Sequence, residues 1–348
     1  MKKIILAPLT LALLSLAACS SESPAPSQQA GAPSAAATVA PEYTPESAPQ
    51  PSTAASDPFG MQLQELADGV YAIVSPARGF PDADNLGWNS NTAFVVTGEG
   101  VLMFDTGSSE QIGQALRAQI RHVTEQPVRW VVNSHVHGDH WLGNSAFMAD
   151  QPEQIIASDI TIELMHEQGA EWLSRFNSMT DGAIGEFELV PARDPVSESV
   201  SYQFADLEAY ILRSERAHAP GDIALWLPQQ RVLLAADVVY TERGPATFDS
   251  DVQGWIAMLN EMLALDPQVV VPGHGPVGGR EAVENMRDFF QTLWDVVEEG
   301  YEAGMMDFEI AAQAREEMVG FEALYPGMSE TLGEAVSHVY LQVEAALF

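Results

Sequence analysis

The chain has 348 residues, 46% of them hydrophobic, and carries 49 acidic against 15 basic side chains for a net charge of −34. That length supplies ample chain for a sizeable core, and the acidic excess repels phosphate backbones and anionic headgroups, which argues against nucleic acid as a substrate. One cysteine, Cys19, leaves no intramolecular disulfide. The acidic surface reads as a solubilising one, with a cationic partner as the alternative.

The first residues read as a targeting segment. Lys2-Lys3 is a basic start, and Ile4 to Leu14 is an apolar run, too short for a membrane span, that contains Pro8. Leu16-Ala17-Ala18-Cys19 resembles a bacterial lipobox. The resemblance implies cleavage before Cys19 and a lipid on its sulfur. Ser20 after the cysteine implies an outer-membrane lipoprotein facing the periplasm, with membrane contact only through that lipid. Loss of residues 1–18 removes Lys2 and Lys3 and takes the charge from −34 to −36. Residues 19–57 are rich in Pro, Ala, Ser and Gln. They hold too little apolar surface to fold and read as a tether, spanning on the order of 35 Å.

Order is expected from about Met61. Val70–Val74, Thr92–Val96 and Val101–Phe104 read as strands. Ser108 with Gln111 reads as a capping box opening a helix whose buried face is Ile112, Leu116 and Ile120. Val128–Val132 is the next strand, and residues 159–176 read as a helix. Strands are expected again at Phe187–Val190, Tyr202–Phe204, Ala209–Leu212, Ile223–Leu227 and Val232–Ala236, with a turn at Pro228-Gln229-Gln230. A helix near 251–265 precedes the short strand Val269–Val271. The remainder reads as helices: Met286, Phe289, Phe290, Leu293, Val296 and Val297 form one apolar stripe, and Leu332, Val336, Val339, Tyr340 and Val343 another. Alternating strands and helices imply α/β layers. Residues 75–91 form a long Gly/Pro/Asn-rich loop around Trp88, either a flap over a site or a surface loop.

Chemistry concentrates at strand ends. After Val131-Val132, the run Asn133-Ser134-His135-Val136-His137-Gly138-Asp139-His140 packs three of the eight histidines and a carboxylate into six residues. Neutral imidazole and Asp oxygen are common zinc ligands. Three more candidates end apolar strands: His218 in HAPGD, Asp237 in LLAAD and His274 in PGHGP. His122, His166 and His338 stand alone and read as structural or exposed.

The motif set HVHGDH, HAPGD, LLAAD and PGHGP, in that order over residues 62–285, resembles the metallo-β-lactamase fold superfamily. The resemblance implies an α/β fold, an αββα sandwich with a C-terminal helical extension. The implied organisation is a signal peptide at 1–18, a tether at 19–57, the fold domain at 58–285 and helices at 286–348. It further implies two Zn2+ ions, with His135, His137 and His218 on the first. Asp139, His140 and His274 would hold the second, and Asp237 would bridge them. A shared hydroxide would attack a carbonyl in a small ester, thioester, lactone or amide, with Asp139 orienting the nucleophile and moving a proton. Asp105 would brace the ligand loop. His140 and Asp237 depart from the β-lactamases that place Arg and Cys there, and Tyr240 and Arg243 occupy the region where such enzymes bind a drug carboxylate. The Gly244–Trp255 stretch and the helical tail resemble the SoxH-like branch, which includes the quinoprotein relay system zinc metallohydrolases. Alternatives are a β-lactamase proper, an iron-dependent oxidoreductase on the same fold, and a metal-binding lipoprotein without catalysis.

Overall fold

The computed structural model describes residues 58–76 and 80–347. The expected signal peptide, Cys19, the tether and residues 77–79 of the 75–91 loop lie outside the described residues.

The first half of the chain builds one sheet. Its elements are β1 (Gln62–Ala67), β2 (Val70–Val74), β3 (Thr92–Val96), β4 (Val101–Phe104), α1 (Glu110–Arg121), β5 (Val128–Val132), α2 (Gly138–Trp141), α3 (Asn144–Phe147), β6 (Gln154–Ser158), α4 (Asp159–Met179) and β7 (Asp194–Val196). Its seven strands lie in chain order. β1 to β4 pair antiparallel. β4 to β7 pair parallel, which requires the long crossovers that α1, then α2 with α3, then α4 supply. The second half gives β8 (Val200–Phe204), β9 (Leu207–Arg213), β10 (Ile223–Leu227), β11 (Val232–Tyr240), α5 (Val252–Ala264), β12 (Val269–His274), α6 (Arg280–Glu302), α7 (Asp307–Glu317) and α8 (Met328–Leu347). Its five-stranded sheet runs β12-β11-β10-β9-β8, antiparallel except for the parallel β11–β12 pair.

Three apolar layers hold these sheets. Between them, Val95, Leu102, Phe104 and Val132 of one sheet meet Leu225, Leu234 and Val271 of the other. Each fully buried aliphatic side chain of this kind contributes roughly 1.5–3 kcal/mol. Outside the first sheet, Ile112, Leu116 and Ile120 of α1 pack with Met165, Trp172 and Phe176 of α4. Outside the second, α5, α6, α7 and α8 share one cluster, from Trp255 and Phe290 to Ile310 and Val339. The result is the expected αββα sandwich with C-terminal helices. α6 runs unbroken through residues 285 and 286.

The structure departs from the expected elements in three places. β1, β6 and β7 form without having been expected. Residues 187–190 are not a strand: the Val190 carbonyl accepts from Asn144 Nδ2 at 2.9 Å instead of joining a ladder. The cap of α1 is Ser109, whose Oγ accepts from Ile112 N, while Ser108 Oγ donates to the Leu86 carbonyl at 3.0 Å.

Candidate metal centre

β4 leads into Asp105, β5 leads into the histidine run, and β12 ends at His274, while Asp237 sits inside β11, which continues to Tyr240 instead of ending at the carboxylate as expected. At the end of β5 the chain leaves its ladder at Asn133, stays extended at His137, and turns into α2, which carries Asp139 and His140. Gly138 permits this turn, since a Cβ there would lie 2.9 Å from Leu142 Cδ1 and 2.9 Å from Phe176 Cε2. β11 is irregular between Leu234 and Tyr240, and Ala236 adopts φ +47° immediately before Asp237. β12 ends at His274, and the preceding Gly273 is required by contact: a Cβ there would fall 1.9 Å from Asp237 Oδ1.

All seven sequence candidates converge and all are buried. They form two groups, His135, His137, His218 and Asp237 in one, and Asp139, His140 and His274 in the other, each with its ligand atoms within 4.8 Å of one another. His218 Nε2 faces His137 Nδ1 at 3.0 Å. Asp237 lies between the groups, with Oδ1 3.1 Å from His140 Nε2 and Oδ2 3.4 Å from His218 Nε2 and 3.2 Å from His274 Nε2. Asp139 Oδ2 is 3.6 Å from both His140 Nε2 and His274 Nε2.

The surrounding hydrogen bonds fix which ring nitrogens face inward. Asp105, in the left-handed region at φ +58°, accepts from Ser134 N and Ser134 Oγ at 2.7 Å each and from His140 Nδ1 at 2.8 Å. Because Ser134 Oγ gives its proton to Asp105, it accepts from His135 Nδ1 at 2.9 Å. His274 Nδ1 donates to the Asn89 carbonyl at 2.7 Å, and His137 Nε2 donates to Asp249 Oδ2 at 3.0 Å. Each of these four rings therefore turns its other nitrogen into the cluster. His135 Nε2 is buried with no hydrogen-bond partner among the described residues, and His140 Nε2 and Asp237 Oδ1, which face each other at 3.1 Å, lie outside hydrogen-bond geometry. Such orphaned polar atoms are costly unless something binds them, and an N/O donor set of this kind fits metal ions such as zinc.

The electrostatics agree. Burial, with like-charge repulsion from His140 and His137, holds His135 well below the ordinary imidazole value. Burial takes His218 down to about 3, so both rings stay neutral. At His140 burial pulls down, but Asp237, Asp139 and Asp105 outweigh it and raise the ring well above its ordinary value. The carboxylates that favour a proton at His140 favour a metal cation at the same place.

Sequence reasoning named Asp105 as a brace, and the structure gives it that place. It assigned no role to Asp249, Ser134 or Asn89, although the first lies in the Gly244–Trp255 stretch and the second in the histidine run. Trp88 is buried in the α1/α4 layer. Residues 89–91 are laced to the ligand loops: Ser90 Oγ donates to the Asp139 carbonyl at 2.7 Å, and Asn91 Nδ2 donates to the carbonyls of Pro272 and Gly275. Tyr240 does not face a substrate region. It is buried, donates to Asp237 Oδ2 at 2.5 Å, and stacks on His274.

A model of the Metallo-beta-lactamase superfamily matches residues 86–274, more than half of the chain. Among curated proteins the chain is similar to a linear primary-alkylsulfatase of a Pseudomonas species, at 28% identity over 54% of this chain and 42% of that protein. It is also similar to a metallo-beta-lactamase type 2 of Bacteroides fragilis, at 26% identity over 65% of this chain and 84% of the relative. The 2,4-dinitroanisole O-demethylase subunit alpha of a Nocardioides species is 31% identical over 50% of this chain and 49% of its own length. The chain thus spans less than half the length of two of these relatives. Among solved structures, a metallo-beta-lactamase from Pontibacter korlensis superposes with a TM-score of 0.55 at 19% identity, covering 66% of this chain and 99% of that one. One from Hirschia baltica gives 0.53 at 20% identity, covering 66% and 97%. At these identities the structural likeness concerns the fold alone.

Proposed function

This chain belongs to the metallo-beta-lactamase superfamily, and from that membership we propose that it is a dinuclear zinc hydrolase of a small ester, thioester, lactone or amide. The observation that carries the reading is the convergence of seven buried imidazoles and carboxylates in two groups, with orphaned polar atoms facing inward. His135, His137 and His218 would hold one ion, Asp139, His140 and His274 the other, and Asp237 both. When bound, the ions polarise a carbonyl and lower the pKa of a coordinated water toward about 7.

The chain's own residues supply position and proton transfer. Asp237 is held by the Tyr240 hydroxyl, whose proton is kept in place by burial and by Asp237 itself. Asp105 and Ser134 lock the rings of His140 and His135. Asp139, with 12% of its side chain exposed against 4% for Asp237, is the carboxylate of the cluster that meets incoming solvent. It takes the proton of the attacking water on Oδ and returns it to the leaving group. The rings of Trp172 and Phe248 lie against His137 at 4.9 and 5.1 Å and keep bulk water from that side.

Asp at position 237 and His at 140 favour general dinuclear hydrolysis over β-lactam cleavage, and with Tyr240 buried no cation stands immediately after the bridging ligand. Membership of the SoxH-like branch rests on the Gly244–Trp255 stretch and the helical tail. Placement as an outer-membrane lipoprotein rests on Lys2 to Ser20. The test is metal quantification on purified protein with a panel of thioesters, lactones, alkyl sulfates and β-lactams. We expect about two zinc per chain and turnover of an acyl substrate, with metal and turnover lost together in His135→Ala and Asp237→Ala. Either variant keeping full zinc and full turnover sinks the reading, as does turnover confined to β-lactams, and iron in the native protein replaces the zinc assignment.

A further inference from the structure

Tyr240 touches both groups of the cluster, and it touches them unequally. In a regular strand, residues three apart point to opposite faces. The register of β11 against β12 shifts between Ala236 and Tyr240, and such irregularities re-aim a side chain. Tyr240 accordingly turns to the side of Asp237, and its hydroxyl donates to Asp237 Oδ2 at 2.5 Å. The same register makes it the cross-strand neighbour of His274, and the two rings stack at 5.2 Å with 14° between their planes. The side chain is 1% exposed, so water does not compete for its hydroxyl.

Counting the shared Asp237, each group has four donors. In the second group, two of them rest on Tyr240. Its hydroxyl sets the rotation of the Asp237 carboxylate. Its face sets the plane of His274, which the single hydrogen bond from Nδ1 to the Asn89 carbonyl leaves free to swing. The first group is anchored elsewhere. Ser134 holds His135 and Asp249 holds His137. His218 packs edge-on against Trp255 at 5.2 Å, nearer than Tyr240 at 5.9 Å. Without Tyr240 the first group keeps three placed imidazoles, a set that holds zinc by itself. The second keeps only Asp139 and His140.

We propose that Tyr240 is the positioning residue for the second ion: by orienting Asp237 and the plane of His274 it makes a two-ion centre of a site that otherwise holds one. This rests on the dinuclear reading, and its test is a metal titration that needs no substrate. Metal-free full-length wild type, Tyr240→Phe and Tyr240→Leu are titrated with Zn2+ against a chromophoric chelator. A parallel titration uses Co2+, whose absorption reports the donor set. The wild type takes up both ions. Tyr240→Leu loses the hydrogen bond and the stacked face, so its affinity for the second ion falls by about tenfold to a hundredfold while that for the first stays within about threefold. Tyr240→Phe keeps the face, loses only the hydroxyl and falls between the two. Melting of the metal-free proteins checks the fold, and the near-isosteric Tyr240→Phe carries the test if Tyr240→Leu does not fold. Loss of both ions in equal measure, as a merely structural role predicts, overturns the proposal, as does an unchanged second affinity in Tyr240→Phe and Tyr240→Leu. A wild type that binds one ion only overturns the dinuclear reading and the proposal with it, whereas two ions in the wild type with unaltered variants overturns the role of Tyr240 alone.

Discussion

Single residues behind the ligands decide whether the cluster is ready for metal. Asp249 is the clearest case. It holds His137 by its Nε2, and the hydrogen bond from that ring, against the opposing effect of burial, keeps its carboxyl below the usual range. It therefore stays an acceptor near neutral pH and commits Nδ1 to the inward role. Without it, His137 is free to flip or to carry its proton on the wrong nitrogen. Asp249→Ala is expected to weaken metal affinity or turnover by about tenfold to a hundredfold, the usual cost of losing such a partner. Asp249→Asn, which keeps an acceptor oxygen, recovers part of the loss. Chelator competition on both variants measures it. Equal metal affinity in wild type and Asp249→Ala would show that His137 needs no partner.

At the scale of elements, α8 reaches back to the loop that carries Asp249. Gln342 Oε1 accepts from Val252 N at 2.9 Å and its Nε2 donates to the Ser250 carbonyl at 2.8 Å, so one side chain clips both sides of the cap of α5. Gln342→Leu keeps most of the packing and removes both bonds. The expected cost is about 2 kcal/mol of stability, since a buried helix-start N–H loses its partner, with weaker metal binding because Asp249 lies one residue before Ser250. Urea unfolding and chelator competition on the same variant test the link: a destabilised protein with wild-type metal affinity would make Gln342 structural only. Such connections explain what the sequence could and could not reveal. β2 to β5 and β9 to β12 are apolar runs buried on both faces or between turn signals, and they were legible. β1 is half-exposed and polar, β6 is a short apolar run directly before a helix, and β7 contains Pro195, so none gave a pattern of its own. The seven metal candidates stood out because histidine and aspartate gathered in motifs at strand ends. Asp249, Ser134 and Asn89 gain their roles only from three-dimensional neighbours, which no spacing along the chain encodes.

For the whole molecule, charge decides how it meets a membrane. The net charge of −34 opposes anionic headgroups within a Debye length of about 8 Å at physiological salt. Among the described residues no helix is long and apolar enough to cross a bilayer. The proposed attachment runs through a lipid on Cys19, as the Lys2 to Ser20 stretch implies. Attachment through acyl chains is hydrophobic, at about 0.8 kcal/mol per buried methylene, and is not weakened by salt. In its native host, the protein is therefore expected in the membrane pellet and to stay there through a wash at about 1 M salt, where screening shortens to about 3 Å. Cys19→Ser removes the sulfur that would carry the lipid and moves the protein to the soluble fraction. Its kcat/KM should stay within about twofold, because the substitution touches no residue of the metal cluster. Fractionation of wild type and Cys19→Ser, with and without the salt wash, reads the outcome. Release of the wild type by salt alone would mean that a charged contact, not a lipid, holds it, and a Cys19→Ser protein that stays in the pellet would place the attachment elsewhere in the chain.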